Sequence, residues 1–298
     1  MQGQSTSMMQ RSYRVFLFVG FLVGGLMLFL LGNNWHSLFP TNKSTLYKWA
    51  LALFFLALAL AMRRSERFRE GWQIPLALAI ASFANALNWH LGNWLARLLP
   101  AAVSTAQEIA IDKLSECLPV VLSILVLTRL AGNDLGSIFL KKGNLQWGLR
   151  FGLISFCVFA GIFAVIAVLQ SNAPASGGIM AMGVPLAAIV AAIPWILVFI
   201  LANSLMEELW FRGLFLRRLS PALGATASVV VTALVFGIPH LGSTYIAPIE
   251  RLIFPVIVVG LGLVNGFVML KTDSIWGSVL FHAGYDLLVI IPVLVSTR

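Results

Sequence analysis

From Val184 to Met206 the sequence carries no charged side chain. Apolar stretches of this kind recur along the whole chain, and about 20 apolar residues are what a helix needs to cross the hydrocarbon core of a bilayer. Within lipid every backbone N–H and C=O must be paired inside the protein, so only helices and closed barrels can span. A barrel would show short segments of alternating polarity. Here the apolar runs are long and unbroken. The sequence therefore predicts an all-α fold, a polytopic transmembrane helix bundle. Composition agrees: 59% of residues are hydrophobic and 10% charged, against about 25% charged in soluble domains.

Nine segments are candidate membrane helices: 15–31, 46–62, 74–95, 117–130, 149–169, 185–218, 223–240, 252–270 and 276–295. The sixth is overlong and contains Pro194, so a tilt, a kink or a start beyond the proline is expected. Val15–Leu31 is not followed by a small-residue cleavage site and reads as a retained helix rather than a signal peptide. The chain divides into helices of unassigned role over 1–147 and a chemistry-bearing part over 148–298. No internal repeat is visible.

The net charge of +9 does not indicate nucleic-acid binding, because the basic residues sit in short loops that orient helices against the membrane. With the N-terminus inside, the inner loops hold Arg11, Arg14, Arg63, Arg64, Arg67, Arg69, Arg129, Lys141, Lys142, Arg150, Arg217, Arg218 and Lys271. The outer side holds the smaller set of Lys43, Lys48, Arg97, Lys113, Arg251 and Arg298. An N-in, C-out topology is expected, with a bacterial inner (plasma) membrane as the compartment. Trp35, Trp49, Trp72, Trp147 and Trp276 fall near helix ends, where interfacial anchors belong. Gly20-x-x-x-Gly24 and Gly262-x-x-x-Gly266 suit close helix contacts. Cys117 and Cys157 read as small buried packing residues.

Immediately after the uncharged run come Glu207-Glu208-Leu209-Trp210-Phe211-Arg212. An ionisable group at membrane depth costs a few kcal/mol and marks function by default. Neighbouring helical residues differ by 100° in azimuth, so the two glutamates face differently. Glu208 and Arg212 are i, i+4 with the acid first, the favourable order for an ion pair. Glu207 is then left over, one turn after Asn203, as a carboxylate suited to general-base work. The plainer reading is that both glutamates only neutralise Arg212. Two further groups follow. Phe236 and His240 share a face at the end of the seventh segment, and His282 and Asp286 are i, i+4 in the ninth. A lone histidine near a helix end is more often interfacial than catalytic, and a His–Asp pair can simply stabilise a helix. Together, polar groups on three apolar helices meet most economically in one cavity of the bundle.

The ordered set Glu207-Glu208-x-x-x-Arg212, Phe236-x-x-x-His240 and His282-x-x-x-Asp286, with Gly213 after the arginine, resembles the CPBP family. These are the CAAX proteases and bacteriocin-processing enzymes, also called the ABI family and typified by the Ras-converting CAAX endopeptidase. The similar region runs from about Gly148 to Pro292. The resemblance implies a CAAX-protease-like helical core and an intramembrane endopeptidase. It implies that Glu207 activates water with His240 assisting, that His282 and Asp286 bind the tetrahedral oxyanion, and that Glu208 and Arg212 hold the helix in place. Eukaryotic relatives typically carry Asn where this chain has Asp286, and an anionic side chain is a poorer oxyanion donor unless protonated. The implied substrate is a membrane-associated peptide or protein, with membrane lipid as the surroundings and no nucleic acid. No cofactor is required in the favoured reading. The alternative is zinc on Glu207, His240 and His282 with an open water position, although His-Glu-x-x-His is absent.

Two rival classes remain. One is a non-catalytic membrane binder such as a bacteriocin self-immunity factor, which would not need Glu207 and both histidines. The other is a transporter or channel, disfavoured because the polar groups share one locus and no inverted repeat is apparent. Glu108, Asp112 and Glu116 form an acidic stripe that reads as a solvated face. Asn85, Asn88, His90 and Asn93 could line a cavity, but with Trp89 and Trp94 they read better as an interfacial cap. The first four helices are expected to shape substrate access or to bind a partner.

Overall fold

The computed structural model describes residues 2–34, 39–99, 105–171, 186–242 and 250–296. Over these residues the chain forms eleven α-helices and no strand. They are α1 (Gln2–Leu26), α2 (Thr41–Arg64), α3 (Gln73–Leu91), α4 (Trp94–Leu98), α5 (Ala106–Leu130) and α6 (Leu145–Ser171). α7 (Leu186–Glu207), α8 (Leu216–Leu223), α9 (Ala225–Gly237), α10 (Glu250–Thr272) and α11 (Trp276–Ser296) follow. Six stretches are long and apolar enough to cross a membrane: Ser12–Leu31, Thr41–Arg64, Arg69–Leu98, Leu145–Ile166, Ala187–Leu223 and Ile253–Thr272. Ala225–Leu241 is a shorter apolar helix. The protein is an integral, multi-pass helix bundle.

The expected overlong sixth segment is interrupted, though not at its proline. Pro194 lies inside α7, and the break is a π-helical turn, Glu208–Gly213. A second π turn, Met27–Leu31, ends α1. The two turns pack on each other: the Phe29 ring lies 4.4 Å from that of Phe211 and 5.5 Å from that of Trp210. The expected 117–130 segment is the second half of α5, whose first half carries Glu108, Asp112, Lys113 and Glu116.

One hydrophobic core joins both halves of the chain. Phe21, Leu28, Phe55, Ala77 and Val120 belong to the same buried cluster as Met206, Phe211, Phe236 and Met269. Phe21 meets Phe215 edge to face at 4.9 Å. Small residues bring α6 and α11 into close contact. A Cβ at Gly277 would come within 2.7 Å of the Gly148 carbonyl oxygen, and one at Gly152 within 2.8 Å of that of Gly277. At the expected α9–α10 contact, a Cβ at Gly266 would touch Val229 at 3.0 Å. Gly24 packs on Leu78 of α3, whereas Gly20 faces open space.

Several local expectations change. Cys117 is buried, but Cys157 is exposed on α6, the helix with the smallest buried share among the spans. Lys48, counted among the outer cations, is 2% exposed and donates to the carbonyls of Gly32 and Asn33. Lys113 pairs with Glu116 at 2.7 Å. In the acidic stripe, only Asp112 is exposed; Glu108 and Glu116 are half-buried. The interfacial tryptophans stack with cations: Arg63 lies over Trp72 and Lys271 over Trp147. Trp49 donates to His90. Trp35 and Arg298 lie outside the described residues.

Candidate active site

Residues from three separate motifs can meet only if they reach the same depth. Gly224, in a left-handed conformation at φ 83°, turns α8 back into α9. Glu207 precedes this corner by 17 residues and His240 follows it by 16. Arg217 is ion-paired with Asp273, at the α10–α11 connection. From that pair Glu207 and His282 are again nearly equidistant, at about 15 Å and 14 Å. Counting from Arg217 for one motif and from Leu223 for another gives unequal depths. The α8–α9 corner and the Arg217–Asp273 pair bring all three motifs level.

Glu208 is the hub. Its side chain is fully buried, and its Oε1 accepts from Arg212 Nη1 at 2.9 Å, from Asn265 Nδ2 at 2.8 Å and contacts His282 Nδ1 at 2.7 Å. The expected Glu208–Arg212 pair is therefore present, within the π turn. Arg212 is 0% exposed, and its guanidinium lies 3.8 Å over the Phe236 ring. A desolvated cation over an aromatic face gains about 2 kcal/mol. Gly262 makes room for it, since a Cβ there would fall 2.5 Å from Arg212 Nη2. Asn265 is held in turn by α11: its carbonyl accepts from the Ser278 hydroxyl at 3.0 Å.

The other face of His282 meets the remaining acids. Its Nε2 is 3.5 Å from Glu207 Oε2 and 3.5 Å from Asp286 Oδ1. Asp286 Oδ2 accepts from Asn203 Nδ2 at 3.0 Å. Glu207, His282 and Asp286 are all buried. Because Glu208 takes Nδ1, the imidazole is fixed in orientation with Nε2 presented to Glu207 and Asp286. His240 joins through an aromatic ring: Phe236 sits edge-on to His240 at 5.0 Å and to His282 at 5.7 Å. His240 Nδ1 contacts the Phe236 carbonyl at 2.9 Å. A carbonyl can only accept, so Nδ1 carries the proton and Nε2 remains as a base.

Glu207 also lines a small cavity of about 30 Å³, room for one or two water molecules. Its other wall comes from the N-terminal half, from Phe29 in the first π turn and from Asn33, Asn34, Asn85 and Asn88. Asn85 Nδ2 donates to the Gly32 carbonyl at 2.8 Å. The amide oxygens of Asn34 and Asn88 are buried without a partner among the described residues. The asparagines expected to form an interfacial cap thus split. His90 and Trp89 bond to Trp49 and Thr45, while Asn85 and Asn88 turn inward toward Glu207.

Asn265, Ser278 and Gly262 were not legible as site residues. A lone amide in an apolar run is a weak signal, although its cost in lipid is the signal that was available. For zinc, His282 Nδ1 is taken by Glu208, and Nε2, the nitrogen left for a metal, lies 3.5 Å from Glu207 and from Asp286; among the described residues no group of three or more His, Cys, Asp or Glu is placed to share an ion.

Comparison with protein families matches residues 189–288 to the family described as type II CAAX prenyl endopeptidase Rce1-like. The recognition made from the three motifs is borne out over this segment, which contains Glu207, Glu208, Arg212, Phe236, His240, His282 and Asp286. It starts later than the Gly148 expected from the motifs. No curated protein and no solved structure matches the chain.

Proposed function

We propose that this protein is an intramembrane endopeptidase that hydrolyses a peptide bond in a membrane-associated peptide or protein, with Glu207 as the general base. The observation that supports it best is the division of labour around His282. Glu208 Oε1 is committed to Arg212, Asn265 and His282 at once, whereas Glu207 faces both the imidazole and a cavity large enough for water. Glu207 takes a proton from water as the oxygen attacks the scissile carbonyl. The oxyanion that forms is stabilised by His282 as the imidazolium, whose Nδ1–H stays on Glu208 while Nε2–H donates, with Asp286 beside it to hold charge or a proton. His240 Nε2 assists in moving the proton to the leaving amine. Preorganised donors of this kind are worth about 3–4 kcal/mol. Glu208 and Arg212 position and do not react. The N-terminus lies in the cytoplasm of a bacterial inner membrane in this reading.

No step passes through a metal. New peptide termini should be mapped in membranes carrying wild-type protein or Glu207→Gln, with and without a chelator. Termini that depend on Glu207 and survive chelation support the reading. Termini lost on chelation and restored by zinc would make it a metalloprotease. Membranes with no Glu207-dependent terminus would favour a binder such as a self-immunity factor.

A further inference from the structure

Along α8, several elements surround a second cavity, of about 520 Å³. Arg14 of α1, Asn133 after α5, and Arg217 and Arg218 of α8 line it, with Glu70 the acidic member of its wall. Its cations are underused. Arg217 gives one nitrogen to Asp273, and Arg218 Nη1 donates to the Leu214 carbonyl. That leaves Arg217 Nε, Arg218 Nε and Nη2, and Asn133 Nδ2 buried with no acceptor among the described residues. All four are N–H donors, so what the cavity lacks is an anionic acceptor.

A groove of about 660 Å³ adjoins it, lined by Phe16, Leu17, Phe55, Leu58, Met62 and Leu78. Cavity and groove share Tyr13, Gly71 and Ile74 in their walls. Phe16 is 71% exposed, so the groove opens toward the bilayer. The two parts match the two ends of one molecule. A phosphate diester suits guanidinium donors, which bind its oxygens in a planar fork. An acyl chain suits the apolar groove.

We propose that the cavity and groove together bind one anionic phospholipid, its phosphate on Arg217, Arg218 and Asn133 and an acyl chain between α1, α2 and α3. The excess of arginine over acid selects an anionic headgroup over a zwitterionic one. The bound lipid ties α8, which continues from the glutamate turn, to α1. This inference is independent of the proposed chemistry.

The test is lipid retention by the purified full-length protein, read by native mass spectrometry in detergent with phosphatidylglycerol, phosphatidylcholine or inorganic phosphate added. Phosphatidylglycerol should be retained preferentially. R217Q/R218Q should hold it roughly thirtyfold more weakly, the loss expected for two basic contacts to anionic lipid. K142Q/R150Q makes the same charge change at exposed positions and should not matter. Gly20→Phe tests the groove separately. Gly20 lines it, and a Cβ there meets nothing within 4 Å, so the added side chain starts from open space and its ring in the groove should displace the lipid, with the melting temperature checking that the variant is folded. Equal retention of phosphatidylcholine, equal binding of inorganic phosphate, an equal loss in K142Q/R150Q, or full retention by Gly20→Phe would each overturn the proposal.

Discussion

Two adjacent glutamates carry different tasks because adjacent helical positions point apart, and that much could be read from Glu207-Glu208-x-x-x-Arg212. The π turn could not. It begins at Glu208, and its wider turn lets one carboxylate oxygen serve Arg212, Asn265 and His282 together. Substituting Glu208→Ala strands Arg212 as a buried, unpaired cation, at a cost of about 3–5 kcal/mol. The protein should then disappear from membranes or melt far lower, while Glu207→Gln should accumulate normally. Normal abundance of Glu208→Ala with lost activity would mean the two roles are reversed. Ala at Gly262 should phenocopy a weaker form of the same defect, since its methyl group would displace the Arg212 guanidinium.

At the scale of elements, the helices and their order followed from hydropathy, because lipid leaves the backbone few choices; their lengths did not all follow, since 117–130 is only the second half of α5 and Ala225–Leu241 is a shorter helix. What hydropathy does not encode is relative depth, which here depends on a glycine corner and on an ion pair between connections. Asp273 receives Lys141 and Arg217 together. Burial pushes its carboxyl up, but hydrogen bonds from Lys141 and Arg217 outweigh this and hold it below the usual carboxylate range. A carboxyl depressed in the folded state contributes stability that is complete above its unfolded pKa and is lost as pH falls through the folded one. The stability gap between wild type and Asp273→Asn should therefore be present near pH 7 and vanish near pH 2. The gap will be small, because the side chain is 45% exposed. A gap that persists unchanged in acid would remove the ion pair from the account. The first π turn and α3 carry a second element-scale prediction. In a background lacking Cys117 and Cys157, Asn34→Cys and Asn88→Cys should react with a small hydrophilic thiol reagent, because the cavity beside Glu207 is wet. Inert thiols at both positions would show a dry pocket.

Across the whole molecule, the N-terminal helices complete the site rather than standing beside it. Phe29, Asn34 and Asn88 form one wall of the cavity whose other wall holds Glu207. The sequence left a cavity wall open as the second reading of Asn85 and Asn88 and ranked an interfacial cap first, since asparagines and phenylalanines carry no spacing that distinguishes a cavity wall from a helix contact. The C-terminal motifs were legible because charge is rare in this chain and concentrated there, and the family match over residues 189–288 covers that part alone. The central claim is that Glu207 performs the chemistry within a scaffold held by Glu208. The most direct measurement is the rate at which a membrane-anchored substrate is cleaved in proteoliposomes, per folded protein, by wild type and Glu207→Gln. The account predicts that the variant folds normally and loses at least about 10²-fold to 10⁴-fold in rate, the scale of general-base catalysis. Cleavage by folded Glu207→Gln at the wild-type rate would contradict it.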